Sequence, residues 1–251
     1  MRIARARRAR APQWIWESAQ QTHCGKRRRN NEDAVLSRAR DGLWAVADGM
    51  GGHQAGEVAS QAITAALAGV RLEGPLSAQV DAVEDALLAV NDQLRLHAHA
   101  RGAGTTIGST VVTMLARDET AVALWAGDSR LYRLRDGRLE QVTRDHNPVS
   151  DLLDSGIVTE AEAIAADTNV ITRAVGGQPR LFLDVAVFDV SPQDTYLLCT
   201  DGLYRDLEAH ELAAGLAAET AEQAAEALLA RCLEGPAHDN VSLVVVRPLC
   251  R

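Results

Sequence analysis

The segment "NVSLVVVRPL", Asn240–Leu249, carries an apolar run that does not alternate. A strand with one wet face alternates polar and apolar residues, whereas a continuous run demands cover on both faces. The chain must therefore stack material above and below a sheet. "LWAVA" (43–47) and "YLLC" (196–199) are of the same kind. The remaining question is whether the covering layers come from helices or from a second sheet.

The periodicity gives both strands and helices, and it leaves that question open. "WIWESAQQTH" reads as a first strand, and "AVLSRARDGLWAVAD" as two strands about the turn "RARDG". From Glu57 to Val70, the residues Val58, Ile63, Ala66 and Leu67 mark one helical face. From Ser77 to Ala100, Val80, Val83, Leu87, Val90 and Leu94 recur at helical spacing, with Pro75 opening the helix and Ser77 as its expected N-cap. Residues 108–143 alternate and are punctuated by "ARDET" and "RDGR", which predicts a meander of about four antiparallel strands. A less regular stretch, 147–180, contains "VTEAEAIAA", expected to be a short helix capped by Thr159. "LFLDVAVFDV" and "TYLLCTDGL" follow as strands, and "AHELAAGLAAETAEQAAEALLARCLEG" reads as one helix. Antiparallel strands in groups, with helices between the groups, define an α+β fold in which helices cover sheets.

Charge narrows the function classes. The chain of 251 residues has a formal net charge of −8. Its start is nonetheless basic, with Arg2, Arg5, Arg7, Arg8, Arg10 and the run Lys26–Arg29 against one acid, Glu17. Residues 1–12 are expected to be a solvated, disordered arm. An acidic body argues against nucleic acid as a partner and suits a cation site. No apolar run approaches the length of a membrane span, and the N-terminus lacks the apolar stretch of a secretory signal. Cys24, Cys199, Cys232 and Cys250 form no C-x-x-C pair, so reduced thiols in a cytosolic protein are expected.

The acids sit where strands end. Asp48 closes "LWAVA" and precedes Gly49; Asp128 follows "VALWAG"; Asp201 follows "YLLCT" and precedes Gly202; Asp239 precedes Asn240 and the last strand. Glu32 and Asp33 stand together in "RRRNNEDAVL". An isolated Asp-Gly is ordinarily a turn, and Asp41-Gly42 and Asp136-Gly137 are read so. Asp48 and Asp201 lack the polar flanks of a surface hairpin. Carboxylates that converge repel one another unless a cation neutralises them. All-oxygen donors select hard ions such as Mg²⁺ or Mn²⁺, while zinc prefers His or Cys, which are not suitably spaced here. There is no P-loop, no G-x-S-x-G elbow and no EF-hand loop, and "GAGTTIG" has the wrong glycine spacing for a dinucleotide fingerprint.

In order along the chain, "RRNNEDAV", "VADGMGG", "GTT", "AGDSRLYRL", "LLCTDGL" and "HDNVSLVVV" resemble the bacterial metal-dependent protein phosphatases, the type 2C or PPM family. The resemblance runs from about Ser18 to Val246. Each motif alone is weak; the ordered set is specific. It implies a four-layer α-β-β-α sandwich, two antiparallel sheets flanked by helices, in one catalytic domain over 13–251 with 147–180 as a flap. It implies a binuclear Mn²⁺ or Mg²⁺ centre and hydrolysis of phosphoserine and phosphothreonine in proteins by direct attack of a metal-bridging hydroxide. Carried over residue by residue, Asp48 bridges the two metals, Gly49 lends its carbonyl to one, and Asp201 and Asp239 complete the other. Asp33 and Glu32 act mostly through metal-bound water. Asp128, with Asp201, holds a weaker third metal, Arg28 binds the substrate phosphate, and Asn240 supports the site from behind. Many eukaryotic relatives carry a leaving-group His directly after Asp-Gly, where this chain has Met50. His53 and a metal-bound water are the alternatives for that role. The resemblance further implies a cytoplasmic monomer that acts on phosphorylated proteins, opposes a cognate Ser/Thr kinase and serves stress or type VI secretion signalling. A non-catalytic module on the same fold and a hydrolase of small phosphoesters are the competing readings.

Overall fold

A computed structural model describes residues 14–51, 55–102, 106–157, 159 and 170–250. The basic arm, His53 and the "VTEAEAIAA" helix, Thr159 excepted, lie outside the described residues. Eleven strands form two antiparallel sheets.

The first sheet holds β1 (Trp14–His23), β11 (Val241–Cys250), β10 (Thr195–Cys199), β7 (Arg130–Arg135) and β8 (Arg138–Gln141), in that spatial order. The second runs β2 (Asp33–Arg38), β3 (Leu43–Met50), β5 (Val111–Arg117), β6 (Thr120–Ala126) and β9 (Asp184–Asp189), with the short β4 (Gly108–Ser109) paired to β3. The helices are α1 (Ala55–Gly69), α2 (Leu76–Arg101), α3 (Pro148–Asp154), α4 (Asp201–Tyr204), α5 (Ala209–Leu216) and α6 (Ala221–Glu234).

Side-chain alternation explains the layering. On β3, Leu43, Ala45 and Ala47 pack toward α1 and α2 beside Ile63, Leu67, Leu87 and Leu94. Trp44 and Val46 point the other way, into a core shared with Leu131, Tyr196, Leu198, Val244 and Val246 of the opposite sheet. On that sheet the outer residues, among them Leu197, Cys199, Leu243 and Val245, pack on Leu212, Leu216, Leu228 and Cys232 of α5 and α6. Three buried layers between four structural ones make the α-β-β-α sandwich. Val241–Val246 are all buried, as their unbroken apolar run requires.

Four expectations need correction. The alternating stretch 108–143 is not one meander: β5 and β6 pair in the second sheet, β7 and β8 in the first, and the chain crosses between sheets at Gly127–Ser129. Gly127 (φ 110°) makes the crossing, and a β-carbon there would press into the Thr110 side chain. The helix over 209–235 is two helices, because Thr220 accepts a hydrogen bond from Gln223 N and starts a new one. The long helix α2 begins at Leu76 with Pro75 in the N-cap position, so Ser77 is not its cap. The strand expected over "TYLLCTDGL" ends at Cys199, and Asp201-Gly202 are the first residues of α4. The other two Asp-Gly pairs are turns as read, with Asp136 and Gly137 at φ 50° and 74° between β7 and β8.

Candidate metal centre

The inter-sheet layer turns polar at one end. Asp48 follows Val46 by two residues and so shares its face. Antiparallel register sets Asp33 of β2 directly opposite Asp48 of β3. From the other sheet Thr200 follows Leu198, and Ser242 precedes Val244 by the same period. Thr200 Oγ1 donates to Asp33 Oδ2 at 2.9 Å. The apolar pattern that builds the core thus delivers carboxylates to its rim with no special segment.

This rim opens into a cleft of about 520 Å³. Arg28, Glu32, Asp48, Gly49, Asp128, Asp201, Asp239 and Asn240 all line it. Eight of the ten residues singled out in the sequence therefore meet in one cavity. Asp33 lies just behind Asp48, and Glu32 is the member of that pair facing the cleft. His53 lies outside the described residues. Residues missed in the sequence are Thr110, Arg205, Asp206 and His238.

Backbone contacts fix the geometry. Asp48 N donates to Thr110 Oγ1 (3.1 Å), and Thr110 N donates to Asp48 O (2.9 Å). Thr110 and Ser129 share a hydroxyl hydrogen bond of 2.7 Å, which ties Asp128's loop to β5. Asn240 clamps the far wall: its Oδ1 accepts from Glu32 N (2.8 Å), and its Nδ2 donates to Cys24 O (3.1 Å) and Asn30 O (2.9 Å). A side chain at Gly49 would collide with the carbonyls of Gly56 and Glu32. Gly49 and Gly56 therefore serve close main-chain packing of β3 against α1. Gly202 is likewise pressed on the Asn240 carbonyl, which locks α4 to the start of β11.

The acids are under strong electrostatic load. Burial pushes Asp33 up to about 7 and Asp128 up to about 6, with Asp201 adding to both. Asp48 is raised well above the usual carboxylate range, by burial first and then by Asp33, Asp201, Asp128 and Asp239. Asp33 Oδ1 is buried and has no partner among the described residues. Arg28 reaches Asp239 Oδ2 at 2.7 Å from the rim, and Arg205 Nε reaches Asp201 Oδ2 at 2.9 Å.

Two guanidinium groups do not balance so many converging acids, which leaves the cleft short of positive charge. This oxygen-only donor set fits hard divalent cations. Among the described residues no group of three or more acidic, His or Cys side chains is drawn together closely enough to hold an ion by side chains alone. An open arrangement is what an ion that keeps several waters takes.

The protein is a layered sandwich with an acid-lined cleft at one end of its inter-sheet core. The protein phosphatase 2C family model matches residues 20–234, and the chain belongs to that family of hydrolases. It is 38% identical over 226 residues to the serine/threonine protein phosphatase PstP of Mycobacterium tuberculosis, covering 87% of this chain and 42% of PstP. The chain thus spans less than half the length of that relative. Among solved structures it resembles PppA, a key regulatory component of the type VI secretion system in Pseudomonas aeruginosa. That match has a TM-score of 0.86 and 41% identity over 94% of this chain and 98% of PppA. The PstP catalytic domain in complex with two manganese ions matches with a TM-score of 0.80 and 34% identity, over 94% of this chain and 99% of that one.

Proposed function

We propose that the chain is a metal-dependent serine/threonine protein phosphatase whose catalytic unit is residues 13–251. The observation that carries this reading is the convergence of Asp48, Asp201, Asp239, Asp128 and Glu32 on one cleft with Arg28 at its rim. Two Mn²⁺ or Mg²⁺ ions held by Asp48, Asp201, Asp239 and the Gly49 carbonyl, with Asp33 and Glu32 acting through water, would supply Lewis acidity and a nucleophilic water at neutral pH.

The chain's own residues supply the rest. Arg28 is half exposed and its guanidinium is planar, so it can leave Asp239 and grip two phosphoryl oxygens at once. Asn240 holds the Glu32 backbone and the 24–30 loop, and so sets where Arg28 stands. Protonation of the leaving serine or threonine oxygen falls to His53, to His238 in the cleft wall, or to water. Met50 lines the cleft and carries no exchangeable proton.

The substrate is a phosphorylated protein. The likeness to PppA favours type VI secretion signalling against a cognate Ser/Thr kinase. No helix among the described residues is long and apolar enough to cross a membrane, which suits a cytoplasmic monomer. The deciding measurement is phosphate release from a phosphothreonine peptide with and without Mn²⁺. Activity that needs Mn²⁺ and vanishes in Asp48→Asn supports the reading, and full activity in that variant overturns it. Similar turnover of an aryl phosphate and the peptide would favour a small-phosphoester hydrolase instead.

A further inference from the structure

Asp128 and Asp201 face each other across the cleft, and a guanidinium lies with both. Arg205 Nε is 2.9 Å from Asp201 Oδ2, and its Nη2 is 3.8 Å from Asp128 Oδ2. The placement follows from local structure. Arg205 is four residues beyond Asp201 and caps α4, with its own N–H donating to the Asp201 carbonyl at 3.0 Å. Residues four apart on a helical turn share a face, so the two side chains rise together. The neighbouring wall is held firmly. Tyr204 donates its hydroxyl to the Asp128 carbonyl at 3.0 Å, and its ring is covered by the Arg130 guanidinium at 3.6 Å. Arg130 is gripped by both oxygens of Asp145 (2.9 and 2.7 Å).

Arg28 offers a contrast. It holds one carboxylate, and its side chain is 55% exposed against 30% for Arg205. Arg28 is placed to move toward a substrate, whereas Arg205 is placed to stay.

We propose that Arg205 is a tethered cation that takes the role of a third divalent ion between Asp128 and Asp201. The proposal rests on the metal-dependent reading above. A third ion entering there must displace an ion pair and accept a fixed positive charge within a few ångströms, both unfavourable in a partly buried cleft. Arg stays charged at every physiological pH. The charge on these two carboxylates is then offset at any divalent concentration, and the enzyme depends on two ions instead of three.

The test is the Mn²⁺ stoichiometry of the metal-stripped full chain, measured by titration calorimetry and by equilibrium dialysis with metal analysis. The wild type should bind two ions. Arg205→Gln should bind three, the third roughly tenfold or more tighter than any residual third binding in the wild type. Arg205→Lys should remain at two, and adding Asp128→Asn to Arg205→Gln should return it to two. A wild type or Arg205→Lys that binds three ions overturns the proposal, as does an Arg205→Gln protein that still binds two. A wild type that binds no Mn²⁺ refutes the metal-dependent reading itself.

Discussion

Two arginine–carboxylate clusters sit at different places on the sandwich and behave in opposite ways. Away from the cleft, Arg135 holds both oxygens of Asp194 (2.6 and 2.8 Å) and also reaches Asp189 at 2.8 Å. Asp194 further accepts from the Tyr196 hydroxyl (2.6 Å) and from Ser191 N (2.8 Å). Its side chain is fully buried, yet every need is met. In the cleft the acids outnumber the cations, and one buried carboxylate oxygen has no partner among the described residues. A satisfied network of buried charge holds a structure together, whereas an unsatisfied one is the mark of a missing ligand.

The contrast breaks most sharply on one substitution in each cluster. Asp48→Asn should lower Mn²⁺-dependent phosphate release roughly 10³-fold. It should leave the metal-free protein as stable as the wild type or more so at neutral pH, because it removes one member of a repelling group. Chemical denaturation in the presence of a chelator reads the second outcome. A large loss of stability there would mean that the cleft is a structural network like its counterpart. Asp194→Asn should do the reverse. It should cost about 3 kcal/mol of stability by stranding Arg135 and loosening Tyr196, while the affinity for Mn²⁺ stays unchanged.

Metal itself sharpens the comparison. Saturating Mn²⁺ at about a hundred times its dissociation constant should stabilise the fold by about 2.7 kcal/mol per site. A thermal melt should show the gain in the wild type and in Asp194→Asn, and little of it in Asp48→Asn. Equal shifts in all three would remove Asp48 from the metal centre.

The same comparison shows what sequence makes visible. Asp48, Asp128, Asp201 and Asp239 stood out because each interrupts an apolar strand pattern, and the fold brings all four to one cleft. Arg205 did not stand out, since its relation to Asp201 exists only once "DGLY" is helical, and the strand-like context of "YLLCT" hid that helix. Thr110 and Thr200 act through register across and between sheets, which no local pattern encodes. The strands and helices were legible from periodicity and the four layers came from the family resemblance, but the exchange of sheets after β6 was visible in neither, because alternation looks the same in either sheet. The break between α5 and α6 did carry a signal: "TAEQ" places a capping Thr220 three residues before Gln223.

The smallest effect concerns pH. Burial and the nearby Asp201 push Asp128 up to about 6, with Arg205 opposing them. An acid that ionises less readily in the folded chain gives stability that is fully present below its unfolded pKa, near 4, and that is lost as the pH rises through about 6. In chelator, the wild type should therefore lose about 2 kcal/mol relative to Asp128→Asn between pH 4 and pH 7, because Asn cannot ionise. Denaturation curves at half-unit pH steps decide it. Parallel wild-type and Asp128→Asn profiles would mean that Asp128 ionises as readily in the folded chain as in the unfolded one, and burial would then not load this carboxylate.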